Sequence, residues 1–228
     1  IIIDFRSSLL PYFLKHKKKF IFKKKPNINH VKQLSDYFGC DCSELFIETS
    51  KEEQEIALNY ISNKLKYFVI FPGGNWIPKI WSVKNFNSLL LKILSKNKNI
   101  KFILVGSKEE EDIYYNEITK NINAKDIINL FGASLTQTAA YMKQSNLFIG
   151  NDSGLSHMAS ATKLKSIVLF GPTNDKVYGP FIKGSHVVRT NESYEYFKSI
   201  NIDKTKSYMN SISVEKIYNL LLSKKYCE

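Results

Sequence analysis

From Tyr67 onward the chain alternates short continuous apolar runs with longer segments whose apolar residues recur every third or fourth position. The runs are Tyr67–Phe71, Lys101–Val105, Ile127–Leu130, Leu147–Ile149 and Ser166–Phe170, several of them stopped by glycine or proline. Apolar runs of this kind, bounded by turn residues, read as buried strands. Behind Ser82 the stripe Phe86, Leu89, Leu90 and Ile93 reads as one face of a helix capped by that serine. Further helices are predicted to start within Lys108–Asp112 and to cover Leu135–Gln144 and Gly154–Thr162. A last one covers Ser213–Ser223, with Val214, Ile217, Leu220 and Leu221 on its apolar side. Strands alternating with helices imply crossover connections and a parallel sheet covered on both faces. The predicted fold class is α/β, a doubly wound parallel sheet built from residues 65–190 and completed by the C-terminal helix.

The first 64 residues follow a looser rhythm. Ile1–Ile3 and Phe20–Phe22 read as strands, Ser7–Leu14 and Ile28–Phe38 as helices, and Lys51–Lys64 as a helix joining this piece to the main domain. The chain opens on IIIDFRSSLL, without Met and inside a strand, so it reads as truncated at its N-terminus.

Composition narrows the picture. Hydrophobic residues make up 43% and charged residues 24% of 228, values that exclude wholesale disorder. No apolar run approaches the roughly 20 residues that span a bilayer. Three cysteines, Cys40, Cys42 and Cys227, make no disulfide framework and fit a reducing, cytoplasmic setting. Cys40 and Cys42 lack a second ligand pair at zinc spacing, so no metal site is expected. The net charge of +12 attracts polyanions. Arginine, the residue of bidentate base contacts, occurs only at Arg6 and Arg189, which argues against nucleic acid as the partner. The local concentration of charge is His16–Lys25, HKKKFIFKKK. It reads either as a solvated strand flanked by lysines or as a contact for an acidic acceptor or lipid headgroups.

Ligands of an open parallel sheet sit beyond the carboxyl ends of its strands. Three loops there are rich in chemistry. PGGNWIPKIW (Pro72–Trp81) offers consecutive glycines for close backbone approach and Lys79 as a point charge for phosphate. GNDSGLSHMASA (Gly150–Ala161) puts Asp152 or Ser153 at an N-cap and Gly154 at the start of a helix, whose free N–H groups and dipole favour an anion. Asp152 would repel a phosphate, so capping or accepting from a sugar or base hydroxyl suits it better. His157 follows one turn after Ser153, and is either a structural histidine or part of the site. FGPT (Phe170–Thr173) adds backbone N–H groups and the Thr173 hydroxyl. No G-x-G-x-x-G follows the first strand, which disfavours a dinucleotide-dependent dehydrogenase.

In order and spacing, PGG…KIW…VGS…FGASL…GNDSGLSHMASA…LFGPTND…GP resembles the C-terminal half of the lipopolysaccharide heptosyltransferases, glycosyltransferase family 9. The resemblance spans residues 67–182, and the segment around Asp4 and Arg6 is similar to part of the family's N-terminal domain. It implies a GT-B fold, two Rossmann-like domains with the active site between them. Residues 1–64 would then be the trailing part of the acceptor domain plus a linker helix, and 65–228 the donor domain. The implied reaction is inverting transfer of a heptose or related sugar from a nucleotide diphosphate, ADP-heptose or similar, to a lipopolysaccharide core acceptor, with no cofactor. The implied setting is the cytoplasm, with peripheral contact at the inner membrane.

Carried over by position, Gly74, Asn75 and Lys79 face the diphosphate, and Lys79 stabilises the leaving group. Asp152, Ser153, Gly154 and His157 surround the phosphates and donor sugar, with Thr173 beside them. Ala133 and Leu135 lie against the base, and one of Glu109, Glu110 and Glu111 contacts the ribose. No D-x-D motif is present, in keeping with charge stabilisation by Lys79 and a helix N-terminus. No residue matches the family's catalytic base. Two alternatives share this motif set: a nucleotide-sugar or polyanion binding module without catalysis, and another GT-B enzyme such as a nucleotide-sugar 2-epimerase.

Overall fold

The computed structural model describes residues 2–4 (backbone only), 13–15, 17–41 and 44–227. In chain order these comprise β1 (Ile2–Asp4), β2 (Lys19–Ile21), α1 (His30–Phe38), α2 (Lys51–Tyr60), β3 (Lys66–Phe71), α3 (Val83–Lys96), β4 (Ile100–Gly106), α4 (Lys108–Ile118) and β5 (Ile127–Phe131). There follow α5 (Leu135–Lys143), β6 (Leu147–Asn151), α6 (Gly154–Ala161), β7 (Ser166–Phe170), α7 (Asp175–Tyr178), β8 (His186–Arg189), α8 (Tyr194–Ser199) and α9 (Val214–Ser223).

Six strands form one sheet in the order β5-β4-β3-β6-β7-β8, every pair parallel. The order explains the burial. β3 sits inside the sheet, and its side chains alternate between two apolar faces. Phe68 and Ile70 pack with Phe86, Leu89, Leu90 and Ile93 of α3 and with Ile217 and Leu221 of α9. Tyr67, Val69 and Phe71 pack with Ala57 of α2, with Ala139–Met142 of α5 and with Met158 and Ala159 of α6. A strand covered on both sides must be apolar throughout, which is why these segments lack polar alternation.

Several boundaries differ from the sequence pattern. Ser82 occupies the N-cap of α3, but its side chain makes no capping bond. α2 starts on a full capping box between Ser50 and Glu53 and stops at Tyr60, short of Lys64, because Ile61 turns extended to lead into β3. β8, α7 and α8 are unforeseen. The helix expected over Ser7–Leu14 lies almost wholly outside the described residues, as do Arg6 and Cys42.

The N-terminal segment is held against the loop after β7. Asn29 Nδ2 donates to the Gly179 carbonyl at 3.0 Å, Lys24 Nζ to the Tyr178 hydroxyl at 3.2 Å, and Asn174 Nδ2 to Asn27 Oδ1 at 3.4 Å. β1 and β2 pair in parallel, which brings Lys19 opposite Ile2. Among the described residues no helix is long and apolar enough to cross a membrane.

Candidate functional site

From β3 the chain winds outward through β4 and β5, then returns to the other flank of β3 as β6. The loops after β3 and β6 therefore diverge at a switch point, where a crevice opens. A cavity of about 960 Å³ lies there. Gly74, Asn75, Lys79, Ala133, Leu135, Asp152, Ser153, Gly154, His157 and Thr173 all line it. Residues separated by up to a hundred positions thus meet at one place.

The first loop is tied tightly. Gly74 has φ +153°, a conformation few other residues adopt, and its N–H donates to Glu110 Oε1 at 2.8 Å. A Cβ on Gly73 would stand 2.0 Å from the same oxygen. Trp81 takes no part in the cavity. It is fully buried, its Nε1 donates to the Ile212 carbonyl at 2.8 Å, and its ring meets Phe86 edge-on. Burying an indole of roughly 200 Å² at about 25 cal/mol per Å² contributes on the order of 5 kcal/mol, so Trp81 anchors the end of the loop in the core.

Of the three glutamates at the start of α4, only Glu110 lines the cavity. It closes the capping box with Ser107, and its second oxygen accepts the Ser107 N–H at 2.8 Å. Glu111 is taken up by Lys108 and by Asn129, which hold its carboxyl below the ordinary range. Sequence reasoning left the three equivalent, although the S-x-x-E spacing singles out Glu110. It also missed Ser107, Thr138 and Tyr178 in the lining.

The second loop opens α6. Ser153 is the N-cap of α6. Its hydroxyl is buried and has no hydrogen-bond partner, while Ser156 Oγ donates to the Ser153 carbonyl at 2.7 Å. A Cβ on Gly154 would meet no protein atom within 4 Å, so nothing in the protein excludes a side chain there. Gly154 itself lines the cavity. Asp152 is 5% exposed and faces Lys79, with Nζ to Oδ2 at 3.7 Å. His157 lines the cavity one turn into α6. Its pKa is lowered below 6.5 chiefly by burial, with Lys79 adding to the shift and Asp152 opposing it.

The third loop repeats the theme. Thr173 Oγ1 is buried without a partner. Arg189, at the end of β8, fixes this loop by donating to the carbonyls of Thr173 at 2.8 Å and Gly171 at 2.6 Å and to the Asp175 carboxylate at 2.7 Å. Both partnerless hydroxyls of the site thus border the same cavity as Lys79 and the α6 N-terminus. Among the described residues no group of three or more His, Cys, Asp or Glu could hold a metal.

A Rossmann-like sheet with its cavity at the switch point is the architecture of a GT-B type domain. A glycosyltransferase family 9 structure from Veillonella parvula superposes with a TM-score of 0.73 at 22% identity, covering 96% of this chain and 66% of that one. An Escherichia coli heptosyltransferase, WaaC, solved with ADP gives 0.65 at 16% identity over 92% of this chain and 60% of that one. The sequence model of glycosyltransferase family 9 (heptosyltransferase) matches residues 28–208, and the chain belongs to that family. Lipopolysaccharide heptosyltransferase 3 of E. coli K12 is 23% identical over 181 residues, 79% of this chain and 52% of its own length. The chain spans about half the length of the curated relatives it matches.

Proposed function

We propose that this chain carries the donor-binding half of an inverting, heptosyltransferase-like glycosyltransferase. The donor is a nucleotide-diphosphate sugar of the ADP-heptose type and the acceptor a lipopolysaccharide core. The observation that carries the proposal is the convergence of Lys79, Ser153, Thr173 and the α6 N-terminus on one cavity. An anion at the mouth of α6 would meet the unpaired N–H groups of its first turn and the positive end of its dipole, with Lys79 beside them. WaaC, of similar fold, was solved with ADP, which favours the same class of ligand here.

In this reading residues 65–228 form the donor domain and 1–64 belong to the acceptor domain and its linker. Gly74 and Asn75 approach the diphosphate. Glu110 faces the ribose, and Ala133 and Leu135 flank the base. As the sugar–phosphate bond breaks, negative charge grows on the departing diphosphate. Lys79 and the N–H groups that open α6 stabilise it, and that electrostatic contribution lowers the barrier. His157 and Asp152 stand where the donor sugar would lie. The acceptor hydroxyl must lose its proton to a general base, a role we assign to no residue of this chain. The charge of +12 suits a cytoplasmic enzyme working against phosphorylated acceptors at the anionic face of the inner membrane.

The test is calorimetric titration of the chain with ADP-heptose, ADP, UDP-sugars and short oligonucleotides at two salt concentrations. Saturable binding of ADP-heptose and ADP, weakened in Ser153→Ala and Thr173→Val, is the expected result. Steeply salt-dependent oligonucleotide binding with no affinity for nucleotide sugars would overturn the proposal in favour of a polyanion-binding module.

A further inference from the structure

Asn151 ends β6 and is wholly buried, one residue before Asp152. Its carboxamide is fully committed to a loop 70 or more residues away in sequence. Nδ2 donates to the Pro72 carbonyl at 2.8 Å and to the Gly73 carbonyl at 2.9 Å, while Oδ1 accepts the Trp81 N–H at 3.0 Å. One side chain therefore grips both ends of the Pro72–Trp81 loop, the segment that carries Lys79. From it the chain continues through Asp152 and Ser153 into α6.

We propose that Asn151 is a positioning residue that keeps Lys79 in register with the N-terminus of α6. The proposal rests on the reading of this cavity as a diphosphate site. Two charge-stabilising elements from distant parts of the chain must converge on one leaving group, and a displacement of about 1 Å between them would cost up to ~100-fold in rate. The rest of the loop has its own attachments. The Tyr208 N–H donates to the Pro78 carbonyl at 3.0 Å and Ser207 Oγ to the Ile80 carbonyl at 2.6 Å. Loss of the Asn151 grip would therefore shift the loop without releasing it. Asparagine suits the place because two donors and one acceptor are needed in one planar group. Aspartate would set a carboxylate against two carbonyls, and serine has a single donor on a shorter arm.

The experiment compares Asn151→Asp and Asn151→Ser with Leu221→Ala, a core truncation in α9 at a residue outside the cavity lining. ADP affinity is measured by calorimetry, stability by urea unfolding, and hydrogen exchange by mass spectrometry on peptides covering 72–81. Both Asn151 variants are expected to weaken ADP binding about tenfold or more and to speed exchange in that segment. Leu221→Ala, though destabilised, should keep its ADP affinity within twofold. In a Lys79→Met background the further effect of Asn151→Ser on ADP affinity should shrink towards none, because the asparagine acts through the lysine. Wild-type affinity in a folded Asn151→Ser variant, or equal losses in Leu221→Ala, would overturn the proposal. If the wild-type chain binds no ADP, the donor-site reading fails with it. The grip itself would then be refuted separately by unchanged exchange over 72–81 in Asn151→Ser.

Discussion

The pair formed by Lys79 and Asp152 allows a quantitative test of how the site is held together. Their charged atoms lie 3.7 Å apart, with the side chains 14% and 7% exposed. At an effective dielectric of ~20, Coulomb's law gives an attraction of about 4 kcal/mol. Desolvation of both groups cancels much of that, and a net coupling of about 1–2 kcal/mol remains. Lys79→Met removes the charge but keeps the aliphatic stem, leaving Asp152 buried without its cation, at a cost of about 2 kcal/mol in urea unfolding. The double variant Lys79→Met/Asp152→Asn should be less destabilised than the two singles summed, by the coupling energy. ADP titration gives the opposite signs for the two singles. Lys79→Met loses a charge-assisted bond to phosphate and weakens binding about tenfold or more. Asp152→Asn removes a carboxylate that both competes for Lys79 and repels the ligand, so it tightens ADP. A coupling below about 0.5 kcal/mol, or ADP affinities that move the same way in both singles, would refute the reasoning.

His30, His157 and His186 are all held below the free-imidazole value of 6.5, burial being the largest cause in each. The unfolded chain thus binds these protons first as pH falls, so stability should decline from just below 6.5 through the lowered folded values and be flat above it. Urea unfolding at pH 7.5 and 5.5 checks this, and equal or greater stability at 5.5 would contradict it. Gly150→Ala would place a Cβ 2.8 Å from the Phe148 ring and 2.9 Å from the Phe71 backbone carbonyl. It should cost about 1–3 kcal/mol and lower the melting midpoint by roughly 3–10 °C, whereas Gly154→Ala should leave the midpoint unchanged and weaken ADP.

β3, β4, β6 and β7 are legible because each is a nearly continuous apolar run ended by glycine, proline or polar residues, and burial on both faces requires that pattern. β8 is not, since it is a four-residue edge strand with only Val188 buried. The start of α2 was written in its capping box, while its end had no glycine to mark it. The cavity residues could be read because loops at strand ends concentrate Gly, Ser, His and Lys for reasons other than packing. Asn151 escaped notice for the opposite reason. Its partners are backbone atoms of a distant loop, and no local pattern predicts which buried amide will find them. Arg189 is similar, a lone charge whose three partners exist only once β7 and β8 are paired.

The chain contains two tryptophans, Trp76 and Trp81, and both ride on the Pro72–Trp81 loop. One is half-buried near the cavity and the other fully dry in the core. The intrinsic fluorescence of the protein is therefore a spectrum of this loop. Trp81 should emit in the blue until the sheet itself opens, and Trp76 should respond when the neighbouring crevice fills. Unfolding and occupancy can be followed separately in the native chain, at one excitation wavelength, without a label.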